Sequence, residues 1–182
     1  GAADYKLAVH LPGGRSVYTF CMCPGGQVVA SASESGGVAV NGMSLHARNG
    51  KNANSALLCE VVPSDFGSDA PLAGVEFQRC WERAAFRAGG GDYYAPACRL
   101  GDFMAGTIST GWGRVEPSYL PGTRFADLHT CLPAAVSESL CRAMPQFGRK
   151  LPGFADPDAV LTGVETRSSA PVRLLRGGNM GS

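Results

Sequence analysis

The residues whose types and spacing come closest to chemistry are Cys21-Met22-Cys23-Pro24-Gly25-Gly26. Two thiols one residue apart can cycle as a redox pair, supply half of a metal site, or simply sit on a buried strand. On an extended strand, residues two apart share a face, with α-carbons about 6.6–6.8 Å apart. A disulfide tolerates about 4.4–6.8 Å, so a Cys21–Cys23 bond is strained unless Pro24 bends the chain inward. Strained disulfides are easily reduced, which suits catalysis or regulation better than structure. Zinc requires four ligands and no second close pair supplies two more, so no metal site is expected. A reactive thiolate needs a cation or a helix N-terminus beside it, and the neighbouring sequence offers neither. The plain alternative is a buried strand, Phe20 and Met22 facing one way and Cys21 and Cys23 the other. Gly25 and Gly26 would let a backbone approach a ligand closely.

Other familiar devices are missing. No Gly-x-Gly-x-x-Gly opens a helix after a strand, and no phosphate loop ends in Gly-Lys-Ser/Thr. There is no His-Glu-x-x-His and no Gly-x-Ser-x-Gly. His10, His46 and His129 stand singly and far apart, which fits structural or surface histidines. The chain carries no standard means of holding a nucleotide.

At 182 residues the chain is long enough for one domain with a proper core. Its 25 glycines and 12 prolines mark a turn-rich globular protein. A net charge of +1, with basic residues scattered, gives no field to steer nucleic acid or an anionic membrane. No stretch approaches the roughly 20 apolar residues of a membrane span. The start, Gly-Ala-Ala-Asp-Tyr-Lys, lacks both an initiator methionine and a signal profile, and reads as a point inside a longer protein. Seven cysteines, an odd number without repeated spacing, suggest free thiols in a reducing cytoplasm. Cys59, Cys80, Cys98 and Cys141 lie in apolar-periodic segments and are expected in the core.

The elements that must carry these residues fall into three groups. "YKLAVHL" and "SVYTFCM", around Pro-Gly-Gly-Arg, form one strand pair; "QVVASAS" and "VAVNGMS" form a second. "HARNGKNANS" reads as a loop and "SALLCEVV" as another strand. Asp69 to Gly91 reads as a helix of about four turns, capped by Asp69, with Val75, Phe77, Cys80, Trp81, Ala84 and Ala85 as its stripe. "APACRLGDFMAG" fits a strand or an extended segment ending in a helical turn, followed by a Gly/Ser/Thr-rich loop from Gly106 to Gly122. Val136, Leu140, Cys141 and Met144 keep helical spacing until Pro145, which is expected to end or restart that helix. "AVLTGVETR" and "PVRLLR" close as two strands. The expected class is α+β: an antiparallel meander, open or barrel-like, with two to three helices. Residues 1–176 form one domain with a helical part at about 69–150, and residues 177–182 a glycine-rich tail with nothing to bury.

Several stretches together carry a resemblance. "AADYKLAVH", "RSVYTFCMCPGGQVV", "VNGMS", "GKNANSALL", "PLAGVEFQR", "GDFMAG", "LPAAVSESL" and "GFADPDAVLTGVETRSSAPVR" resemble, in order, the bacterial FAD-dependent dehydrogenase-like oxidoreductases. The resemblance covers only the second domain of such a protein, inserted between the two halves of a dinucleotide-binding domain. It implies an FAD-dependent redox parent, with FAD held by the missing domain, none bound to this chain alone, and a small-molecule substrate. Cys21 and Cys23 are then the candidate redox groups, and Gly25 and Gly26 the flavin-facing edge. Asn41 and Met43 line the same pocket. Arg167, Ser168 and Ser169 are then candidate cofactor contacts and Glu165 and Arg173 candidate substrate contacts, just before the chain would re-enter the FAD domain, an arginine there stabilising reduced flavin or binding an anionic substrate. Surface pairing with carboxylates is an equal reading for Arg167 and Arg173. Two other functions stay open: a non-enzymatic interaction module, and a flavin-independent thiol redox protein using Cys21 and Cys23.

Overall fold

The computed structural model describes residues 6–167. Ser168, Ser169, Arg173 and the strand expected at "PVRLLR" lie outside the described residues. The fold is α+β. Its first sheet holds β1 (Ala8–His10), β2 (Ser16–Ala30), β3 (Val40–Ser44) and β4 (Asn52–Cys59). The rest of the chain adds α1 (Ala73–Ala88), β5 (Ala95–Arg99), α2 (Leu100–Ala105), β6 (Thr123–Phe125), α3 (Ala134–Lys150) and β7 (Val160–Thr162).

β2 organises the first sheet. β1, β3 and β4 all pair antiparallel with it, β1 at its start, β3 at its end and β4 along its other edge. Sequence suggested two strands interrupted by a turn at Pro24-Gly25-Gly26; the structure has one strand of 15 residues running through. The glycines bend the strand instead of reversing it. Against β4, the register runs Phe20↔Ala56, then Cys23↔Asn54, then Gly26↔Asn52, so β2 carries one extra residue in each interval. These are two β-bulges, and each contains a residue with positive φ: Cys21 at 47° and Gly25 at 60°. Gly26 pairs with Ser44 on one side and Asn52 on the other, which prevents the chain from turning there. The segment read as a loop is also partly strand, since β4 begins at Asn52.

The second sheet is small and mixed. β5 lies between β6, parallel, and β7, antiparallel. One apolar cluster joins the first sheet to α2 and α3 through Val9, Val17, Phe103, Leu140, Met144 and Phe147. Another, with Val38, Val40, Ala85, Cys131 and Val164, ties α1 to the ends of β3 and β7.

Two helix expectations shift. α1 starts at Ala73, with Leu72 at the N-cap position making no side-chain bond, so Asp69 does not cap it. α3 continues through Pro145 to Lys150. Proline in a helix interior costs about 3 kcal/mol through a lost hydrogen bond and ring crowding. Here Pro145 is on the exposed side, while Leu140, Ala143, Met144 and Phe147 recur every three or four residues on the buried one. Burial of the last of these, Phe147, keeps the final turn helical.

Candidate functional site

At Cys21 the strand leaves its regular pleat, and the burial expected there is absent. Phe20 is 44% exposed and Cys21 is exposed, while Met22 and Cys23 are half-buried. All seven cysteines are free thiols. Cys98 and Cys131 are fully buried, Cys59 and Cys141 half-buried; Cys80, expected in the core, is exposed on α1, and Cys131 was not anticipated there. The Cys21 thiol is pushed up by partial desolvation, then by Cys23 and the charge of Glu165. The Glu165 carboxyl is itself held above the usual range by burial, and among the described residues it has no hydrogen-bond or ion-pair partner.

The two glycines are committed inside the molecule. A β-carbon on Gly25 would lie 2.2 Å from the Arg48 carbonyl carbon, because the β3–β4 connection folds across it. A β-carbon on Gly26 would lie 2.3 Å from Asn54 Nδ2, and one on Gly42 would lie 2.4 Å from Asn54 Oδ1. The Asn54 side chain thus lies flat over β2 and β3 where both strands lack side chains. Its Nδ2 donates to Gln27 O at 3.0 Å and Met43 O at 3.1 Å, bridging one cross-strand pair. Asn54 Oδ1 is buried without a partner. Sequence reasoning passed over Asn54; the paired Gly26 and Gly42 were the available signal.

Asn41 and Met43 share one face of β3, opposite Val29 and Gln27 of β2. Asn41 is half-buried and Met43 is 54% exposed.

Arg167 has its own structural partner. Its Nε and Nη2 donate to the two carboxylate oxygens of Glu82 at 2.9 and 2.8 Å, and Nη1 donates to Ser33 Oγ. Thr166 Oγ1 adds a hydrogen bond to Glu82 Oε1 at 2.6 Å, and Gln78 Nε2 donates to Thr166 O at 2.8 Å. Glu82 is a buried carboxylate, 2% exposed. Burial opposes its ionisation, but the Arg167 and Thr166 hydrogen bonds outweigh that and hold its carboxyl below the ordinary range. This network pins Thr166 and Arg167 against α1. Sequence reasoning missed Glu82. Gln78, Glu82 and Ala85 follow helical spacing, so polar side chains occupying the buried face were a readable sign.

A cleft of about 320 Å³ opens elsewhere, between Arg15, Asp65, Phe77, Trp81 and the first turn of α3. None of the candidate site residues read from sequence lines it. Among the described residues, no three His, Cys, Asp or Glu side chains gather as a metal site would require. No helix among them is long and apolar enough to cross a membrane.

A family model described as "FAD-dependent protein, C-terminal domain-like" matches residues 1–168. The chain belongs to that family. A protein of Clostridium beijerinckii, described only as an uncharacterized protein, is 52% identical over all 182 residues. The match occupies 34% of that protein, so the chain spans about a third of its relative's length. The family assignment agrees with the resemblance read from the Cys-Met-Cys-Pro-Gly-Gly and Glu-Thr-Arg stretches.

Proposed function

We propose that this chain is the substrate-side cap domain of an FAD-dependent oxidoreductase whose cofactor is held by polypeptide outside it. The carrying observation is the match of residues 1–168 to a family of domains from FAD-dependent proteins, on a chain with no dinucleotide fingerprint of its own. The relative's additional length leaves room for a dinucleotide-binding domain.

The exposed bulge at Phe20–Cys21, with Met43 and Asn41 on β3, is the surface this reading turns toward the flavin ring and substrate. Gly25 and Gly26 act indirectly, since Arg48, Asn49 and Asn54 fill the space above them; they shape the bulge. FAD supplies two-electron transfer when bound, and this chain supplies polar groups around it. Glu165, whose carboxyl burial holds above the usual range, donates a hydrogen bond to an acceptor on the ligand in its protonated form. Cys21 serves as a neutral thiol, with Cys23 behind it. Arg167 serves as an anchor through Glu82. The roles of Ser168 and Ser169 at the cofactor and of Arg173 at the substrate belong to the same proposal. The raised Cys21 thiol weighs against the flavin-independent thiol reading, because exchange proceeds through thiolate.

The test is to purify the full-length protein and this chain separately. The full-length protein should be yellow with one FAD per chain, and this chain colourless. Stoichiometric FAD on this chain alone would refute the proposal. Reductase activity of this chain alone, abolished by alkylating Cys21 and Cys23, would replace it with the thiol reading.

A further inference from the structure

Among the described residues, the edge of β3 that faces away from β2 is unpaired beyond Val40. Val40 N–H points along that edge and donates to Val164 O at 2.9 Å. Side chains and backbone groups repeat every two residues along a strand, so the N–H groups of Gly42 and Ser44 point the same way. Among the described residues neither meets an acceptor. The side chains along this edge are apolar and exposed: Met43 at 54% and Leu45 at 63%. An unpaired edge flanked by exposed apolar side chains is a template for another strand, and proteins ordinarily cover or charge such an edge. Nothing charged blocks this one before Arg48.

We propose that the outer edge of β3, from Gly42 to Leu45, docks an extended segment of the FAD-binding part of the same polypeptide. The occupant follows from three observations. The relative that this chain matches end to end has about two-thirds of its length beyond the match. The edge is already begun by the chain itself, since Val164 forms its first rung opposite Val40. Added main-chain bonds at Gly42 and Ser44 would continue that ladder, while Met43 and Leu45 would be covered. Met43, placed at the substrate approach above, then lies on the rim where cap and flavin domain meet. The inference rests on the proposed function for its partner, and on β3 alone for its place.

The test is amide hydrogen exchange in the 40–46 region, measured in the full-length protein and in this chain alone. Gly42 and Ser44 should exchange rapidly in this chain, and about tenfold or more slowly in the full-length protein. In full-length protein carrying Met43→Asp and Leu45→Asp, that protection should disappear. Both side chains are exposed, so the double variant should leave the melting of this chain alone nearly unchanged, and that scan controls for misfolding. Equal, rapid exchange in a full-length protein that holds FAD would overturn the docking edge and leave the proposed function standing. A full-length protein without FAD would overturn the proposed function, while slowed exchange there would still locate an intramolecular partner. Protection in this chain alone, with a dimer by light scattering, would assign the edge to a second copy and overturn the proposal.

Discussion

Removing Arg167 should harm the protein more than removing Glu82, although the two form one ion pair. The Glu82 side chain is 3% exposed and the Arg167 side chain 37%. Arg167→Ala leaves a buried carboxylate with only the Thr166 hydroxyl. Breaking a buried pair from that side costs about 3–5 kcal/mol, and water entering along the vacated path brings the expectation to the low end, about 3 kcal/mol. Glu82→Gln leaves a cation that can rehydrate and an amide that still accepts hydrogen bonds. Its cost is that of a charged hydrogen bond, about 1.5–3 kcal/mol, reduced by solvent at Arg167 to about 1.5 kcal/mol. For a domain of this size, 1 kcal/mol moves the melting temperature about 2–4 °C, so the losses are about 6–12 °C and 3–6 °C. Calorimetry at pH 7 reads both. The pH dependence separates the causes. In the native pair Glu82 titrates low, so its stabilisation is present above the ordinary carboxylate range and is lost as pH falls through its depressed value. In Arg167→Ala the same carboxyl is raised by burial, so its penalty is present at pH 7 and is relieved as pH falls through the raised value. The gap between parent and variant should therefore narrow from pH 7 toward pH 4. Equal losses for the two variants, or a gap independent of pH, would refute the assignment of Glu82 as a buried, paired anion.

Gly42→Ala should destabilise by about 1–3 kcal/mol through overpacking against Asn54, and Asn54→Ala should recover part of that loss in the double variant. Additive losses in a denaturation cycle would show that the two do not touch. Asp65, held at about 2 by the Arg15 hydrogen bonds, contributes stability that is lost as pH falls from about 4 toward 2; Asp65→Asn should flatten acid unfolding in that window. In the native state iodoacetamide should label exposed Cys80 well before Cys98, which is buried and pushed up to about 12.

Regular elements were legible because their side chains follow a period. The extent of α1, the first strand pair and the Gly106–Gly122 loop stand close to where spacing puts them, but the α1 stripe is turned: Val75 and Cys80 are exposed, and Glu82 lies on the buried face beside Ala85. The interruptions were not legible, because they depend on partners far along the chain. Pro24-Gly25-Gly26 reads locally as a turn; it becomes a bulge only because β3 and β4 hold Gly26 from both sides. Pro145 reads as a stop and is overridden by burial of Phe147. The redox-looking cysteines drew attention to the bulge, yet what shapes it is an asparagine and a backbone loop, residue types that announce nothing alone. Glu82 was hidden for a related reason: a carboxylate on a helix is normally solvated, and only Arg167, 85 residues away, makes its burial tolerable.

β2 touches every other strand of the first sheet, so that sheet has a single point of failure. A nick between Cys21 and Gly26 would sever the sole member common to all its ladders, and the neighbours β1, β3 and β4 could not regroup around what remained. Loss of this sheet should be all-or-none, and a two-piece reconstitution of the protein would have to be divided elsewhere, such as within the Gly106–Gly122 loop.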